Sequence, residues 1–108
     1  MSYKVIFLPR AEVDLKEIQH YLIGSFSRKE WDLAYKKIKH SIQQLKSFPE
    51  SGAVLKEVQH LNLIQYRQVL AGMNRIIYEI RKTNIYIHII CDVRKSMSTL
   101  LARRLLLH

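Results

Sequence analysis

Near its end the chain reads IYIHIICDVRKSM, residues 85–97, where Cys91, Asp92, Arg94 and Lys95 crowd together just after His88. A histidine and a carboxylate on one face would exchange a proton, a thiol beside cations would attack an electrophile, and paired cations would grip a phosphate. Spacing decides among these. The alternation of isoleucine with tyrosine and histidine reads as a strand, so His88 and Asp92 share a face but stand about 13 Å apart at ~3.3 Å per residue. Sharing a proton needs a heavy-atom gap of about 3 Å. Asp92 and Arg94, about 7 Å apart at the backbone, can pair with each other or flank a ligand. Cys91 alternates with isoleucines and reads as a small core residue rather than a nucleophile.

The rest of the chain adds no self-evident catalytic set. The five histidines, His20, His40, His60, His88 and His108, show no metal-ligand spacing, and one cysteine is too few for a structural zinc site. Glycine-rich phosphate loops, nucleophile elbows and metal-binding carboxylate clusters are missing from the sequence. No metal and no cofactor is therefore expected.

Charge is more informative. Eighteen Lys and Arg face nine Asp and Glu, for a net charge of +9. Residues 55–108 hold nine basic groups and only three acidic ones. Such a balance attracts nucleic acid or an acidic protein, or belongs to a soluble protein that is simply basic. At 108 residues with 48% hydrophobic composition the chain suits one domain, residues 1–108. No apolar run reaches membrane-spanning length. The apolar run before Pro9 is too short for a signal peptide core, and a lone cysteine points to a reducing cytoplasm.

The elements that must position these groups follow from periodicity. Tyr3–Leu8 is a short strand stopped by Pro9. Ala11, Leu15, Ile18 and Leu22 recur at helical spacing, with Glu12, Asp14, Lys16 and Glu17 turned mostly away, and Gly24 supplies the stop. Ser27 to Glu30 matches a capping box. The helix it opens buries Trp31, Ala34, Tyr35, Ile38, Ile42 and Leu45, leaves Lys36, Lys37, Lys39, Gln43 and Lys46 outside, and ends by Pro49. After a loop around residues 48–63 the period becomes two. Tyr66–Ala71, Asn74–Arg81 and Asn84–Val93 are three strands joined by tight turns, and Ser96–Leu107 is a short helix with Met97, Leu101 and Leu105 as its apolar line. The order β-α-α-β-β-β-α makes an α+β fold, a small antiparallel-rich sheet packed on one face by a helical hairpin.

Alternation then assigns faces. Ile85, Ile87, Ile89, Cys91 and Val93 look toward the helices, as do Ile76, Tyr78 and Ile80. Tyr86, His88, Ile90, Asp92 and Arg94 look away, with Arg75, Ile77, Glu79 and Arg81. If Arg67 joins them, the open face presents Arg67, Arg75, Arg81 and Arg94, with Lys95 at its rim. That face suits a phosphate backbone or an acidic peptide.

Along nearly its whole length the chain resembles the RelE/ParE superfamily of toxins from bacterial type II toxin–antitoxin modules, the plasmid-stabilisation proteins. Ala11, Asp14, Leu15, Ile18 and Tyr21 match the helical pattern A-x-x-D-L-x-x-I-x-x-Y. Pro49 and Gly52 match the turn after the second helix. Tyr66-Arg67 and the run Met73 to Glu79 match the central strands, and Arg94 with Leu100 to Leu105 matches the C-terminal part. The resemblance implies a growth-arresting toxin in a hetero-oligomer with a co-encoded acidic antitoxin that wraps it, and the same β-α-α-β-β-β-α order.

The resemblance also divides by target. A RelE-like toxin cleaves messenger RNA on the ribosome, and Arg67, Arg94 and Asp92 would then be its catalytic positions. A ParE-like toxin poisons DNA gyrase without hydrolysis, and Arg67, Arg75, Arg81, Arg94 and Lys95 would then contact target or antitoxin. Met97 stands where the nuclease pattern has a proton-carrying tyrosine, and Asp92 and Val93 occupy places often filled by His and Arg. These departures, and the long lysine-rich second helix, favour the ParE-like branch. The RelE-like nuclease is the alternative, and a non-toxic basic nucleic-acid-binding domain is the third reading.

Overall fold

In the computed structural model, which describes residues 2–56 and 65–106, a short strand β1 (Lys4–Phe7) leads into helix α1 (Pro9–Ser25) and helix α2 (Arg28–Leu45). A single turn of 3-10 helix (Pro49–Ser51) precedes β2 (Ala53–Val54), β3 (Tyr66–Ala71), β4 (Asn74–Arg81) and β5 (Asn84–Asp92). The chain closes with α3 (Met97–Leu101), continued by a π-helical turn over Ala102–Leu106. Leu107 and the side chain of Leu105, expected in the last helix, lie outside the described residues, as do residues 57–63 of the expected loop.

The boundaries have local causes. Pro9 opens α1 at a position where its missing N–H costs nothing. Gly24 does not stop α1, which runs one residue further to Ser25; a glycine in the last turn weakens a helix without ending it. Ser27 caps α2, its Oγ accepting the Glu30 N–H at 3.2 Å, which is one half of the expected box. The two-residue β2 was not apparent in the sequence because two residues carry no period.

The sheet order is β1-β5-β4-β3-β2, with β1 parallel to β5 and the remaining pairs antiparallel. Against one face pack Ala11, Ile38, Ile42 and Leu45 of the helical hairpin, meeting Ala71, Ile76, Tyr78, Ile85, Ile87 and Ile90. The opposite face is not open. Met97 and Leu101 of α3, with Leu55, cover Tyr66, Ile77, Ile89 and Cys91.

One irregularity rearranges the faces expected from alternation. Ile77 pairs with Ile89 and Tyr78 with Ile87, so His88 is an extra residue bulged out of β5. A bulge reverses the side-chain parity beyond it. Ile85 and Ile87 face the helices as expected, but Ile90 now joins them, and Ile89 and Cys91 turn to the opposite face.

Tyr78 fixes the crossing from the helical hairpin to the sheet. Its hydroxyl donates to the Pro49 carbonyl at 2.7 Å and accepts the Gly52 N–H at 3.0 Å. A β-carbon at Gly52 would lie 2.5 Å from that hydroxyl and 2.6 Å from the Gln68 carbonyl oxygen, so only glycine fits. Gly52→Ala is expected to cost about 1–3 kcal/mol, read as a lower urea midpoint with an unchanged m-value.

Candidate functional site

The four arginines expected on one face are split between two. A two-residue turn pairs Ala71 with Asn74, and the register carries Arg67 opposite Tyr78, on the helical side. There its guanidinium donates to the carbonyls of Glu50 at 3.3 Å and Gly52 at 2.8 Å, so it braces the turn that Tyr78 holds. Arg94 follows the reversed parity of β5 and lies beside Tyr21 of α1. Arg75 and Arg81 remain on the face opposite the hairpin. Arg75 Nε donates to Gln68 Oε1 at 2.6 Å, while Arg81 pairs with Glu79 at 3.0 Å and lies over the Tyr86 ring, 5.1 Å from its centroid.

Asp92 and Arg94 form the pair that their spacing allowed. Arg94 Nε and Nη2 each donate to the carboxylate at 2.8 Å, and the Arg94 backbone N–H adds a third contact at 2.8 Å. The Arg94 side-chain hydrogen bonds hold the Asp92 carboxyl down at about 2, and the carboxylate in turn raises the arginine. The Lys95 N–H closes the same turn on the Asp92 carbonyl at 3.1 Å. Arg94 is thus a cation held in position and partly neutralised. Around it lie exposed Tyr21, edge-on to Phe26 at 5.8 Å, and exposed Met73, whose carbonyl accepts the Val93 N–H at 2.8 Å. This end of the molecule joins charge to apolar surface.

His88 does have a carboxylate partner, but it is Glu79. Nε2 lies 2.9 Å from Glu79 Oε1, and the ring stands edge-on to Tyr66 with centroids 5.1 Å apart. The signal was present in the hairpin register: Glu79 faces Tyr86, and His88 is its diagonal neighbour. Both side chains are nearly covered, at 15% and 9% exposure. Burial lowers the imidazole's proton affinity against the pull of Glu79, with Arg81 and Arg104 adding to the lowering. Cys91, buried, is pushed up by desolvation and points its sulfur at Met97 Sδ, 3.7 Å away. That is a core thiol, not a nucleophile.

A second pair missed by periodicity is Asp14 with Arg104. Asp14 does not face solvent: its carboxylate receives Arg104 Nη1 at 2.9 Å and Nη2 at 3.0 Å, and also the Ile90 N–H at 3.0 Å. Arg104 Nη2 donates in turn to the His88 carbonyl at 2.8 Å. β1 stops pairing with β5 at Ile87, so these two side chains satisfy the backbone edge that a longer β1 would have covered.

With this geometry in view, a family model describing the ParE toxin of the type II toxin–antitoxin system, parDE, matches residues 5–97. The chain belongs to the ParE toxin family. Among solved structures, this ParE-family toxin is similar to a chain of the chromosomal ParDE toxin–antitoxin system from P. aeruginosa. The TM-score is 0.68 at 14% identity, covering 84% of this chain and 96% of that one. It is also similar to a chain of the RelBE2 toxin–antitoxin complex from Mycobacterium tuberculosis, with a TM-score of 0.58 at 18% identity and coverage of 85% and 99%. At such identities these likenesses speak to the fold. No curated protein matches the sequence. Among the described residues, no helix is long and apolar enough to cross a membrane.

Two outcomes follow from the buried pairs. Asp14→Asn or Arg104→Met leaves one charge buried without its partner, and each is expected to lose about 3–5 kcal/mol in chemical denaturation. His88 resists protonation in the folded toxin while the unfolded chain accepts a proton near the ordinary value of 6.5. Stability therefore falls as pH drops through that value. A urea midpoint lower at pH 5.5 than at 7.5 in the native protein, with a smaller difference in His88→Gln, would bear this out; an unchanged difference in the variant would contradict it.

Proposed function

We propose that the protein arrests growth by binding and poisoning DNA gyrase without hydrolysis of its own. In this reading it acts in the cytoplasm and is neutralised by a cognate acidic antitoxin in a hetero-oligomer. Membership in the ParE toxin family supports the toxin role, and one observation carries the choice of target. Met97, at the position where the nuclease pattern needs a proton carrier, is buried against Cys91 and Leu101 and belongs to the core. The surface that suits a protein partner is the end where Tyr21, Phe26 and Met73 gather around Arg94, since exposed aromatic and methionine side chains beside an arginine make typical binding anchors.

A second reading, ribosome-dependent cleavage of messenger RNA, is favoured by the Glu79–His88 contact of 2.9 Å. That distance fits an acid–base pair, but the cover over both side chains leaves little room for a phosphate.

Purified protein is expected to inhibit gyrase supercoiling and to leave ribosome-bound message intact. Phe26→Ala combined with Met73→Ala should weaken the inhibition about tenfold or more, as loss of interface anchors worth ~1–2 kcal/mol would. Cleavage of message that disappears in Arg67→Ala or His88→Gln would replace the gyrase reading with the nuclease one. Harmless expression, with no arrest for an adjacent antitoxin gene to relieve, would remove both.

A further inference from the structure

The arginines of the candidate site are each held by a partner, yet a row of lysines lies elsewhere. The acids of α2, Glu30 and Asp32, sit in its first turns, and from Leu33 to Pro49 there is no acid at all. In that stretch Lys36 and Lys39 are exposed, and Lys46, half-buried at its stem, ends the helix. With Trp31, Ile38, Ile42 and Leu45 turned inward, positions 36, 39 and 46 fall on the flank and back of the helix at ~100° per residue. They span about 15 Å along its axis at ~1.5 Å per residue.

The row does not stop at the helix. The Tyr3 N–H donates to the Lys46 carbonyl at 3.1 Å, which brings the start of β1 to the foot of α2. The Lys4 N–H donates to the Thr83 carbonyl at 3.0 Å, which brings the Lys82–Thr83 turn alongside. Lys82, in that turn, is exposed, whereas Lys4 alternates with Tyr3 and Val5, which pack on the helical core, and so projects from the opposite face of the sheet. Among the described residues no carboxylate lies within ion-pairing distance of Lys36, Lys39, Lys46 or Lys82. Lys39 meets only the Tyr35 ring, 5.4 Å from its centroid.

We propose that this belt, Lys36, Lys39, Lys46 and Lys82, binds the phosphate backbone of duplex DNA. The choice of partner rests on residue type. Lysine is depleted at the core of protein–protein interfaces, which need apolar or aromatic anchors and favour arginine. The anchors of this molecule, Phe26, Met73 and Tyr21, cluster around Arg94 instead. Backbone phosphates ask only for accessible charge without sequence reading. A span of about 15 Å matches about four phosphates of one strand at ~3.4 Å each. The inference deepens the gyrase reading, since a toxin holding DNA on one surface and protein on another would favour gyrase already loaded on its substrate. It rests on that reading only for this use; the binding itself does not.

The test uses the purified toxin and a short random-sequence duplex, with no gyrase present, so failure here is separate from failure of the gyrase reading. Wild-type protein should bind with a log K against log salt slope of about −4, near 0.9 per phosphate contact. Lys36→Gln with Lys39→Gln should bring the slope to about −2, with an unchanged circular dichroism spectrum. Arg103→Gln, an exposed cation outside the belt, should leave the slope as it was. No binding by wild type, an unaltered slope in the double variant, or an equal loss in Arg103→Gln would each overturn the proposal. A parallel titration with poly-glutamate covers the other occupant: if the belt variant loses that polymer but keeps the duplex, the belt serves an acidic protein and the DNA assignment falls.

Discussion

A carboxylate and a guanidinium, both nearly sealed from water, tie three distant parts of this chain together. Asp14 comes from α1, Arg104 from the C-terminal turn, and between them they close the free edge of β5 at His88 and Ile90. Burying two charges is expensive and is offset only by good geometry and further hydrogen bonds; here the backbone of β5 adds one to each partner. The pair therefore does more than attract. It lets β1 be short, lets α1 begin where β1 stops, and brings the C-terminal segment across the sheet.

That segment then changes the character of the second sheet face. Met97 and Leu101 arrive over Tyr66, Ile77, Ile89 and Cys91 and convert a face that alternation left to solvent into a second core. Two consequences reach function. Met97, where the resemblance to RelE-like nucleases would place a proton carrier, belongs to that core. The His88–Glu79 pair, which has the spacing of an acid–base couple, is drawn into cover, where burial lowers the imidazole's proton affinity.

What stays outside is segregated by chemistry. Apolar side chains gather at the end marked by Arg94 and the Met73 turn, whereas unpaired lysines follow the flank of α2 down to the start of β1. The proposed protein-binding and polyanion-binding surfaces are thereby separated on one small toxin. Such an arrangement suits a molecule that must be recognised by one partner and still engage another.

The sequence by itself determined the element order and most boundaries, because period-2 and period-3.6 patterns are local properties of the chain. β3 and β4 begin and end where alternation and tight turns place them, and the motif around Asp14 and Leu15 pointed to the toxin family. Arg67, expected on the open face, lies instead opposite Tyr78 on the helical side, a register that the two-residue turn at Gly72 and Met73 already fixes. Only the tertiary structure decided the rest. One bulged residue, His88, reversed the faces of Ile89, Ile90 and Cys91, and no local pattern announces a bulge when every neighbour is an isoleucine. Asp14 and Arg104, ninety positions apart, became partners because an unpaired strand edge in the middle of the fold had two backbone groups to satisfy, and that need exists only once the chain has folded.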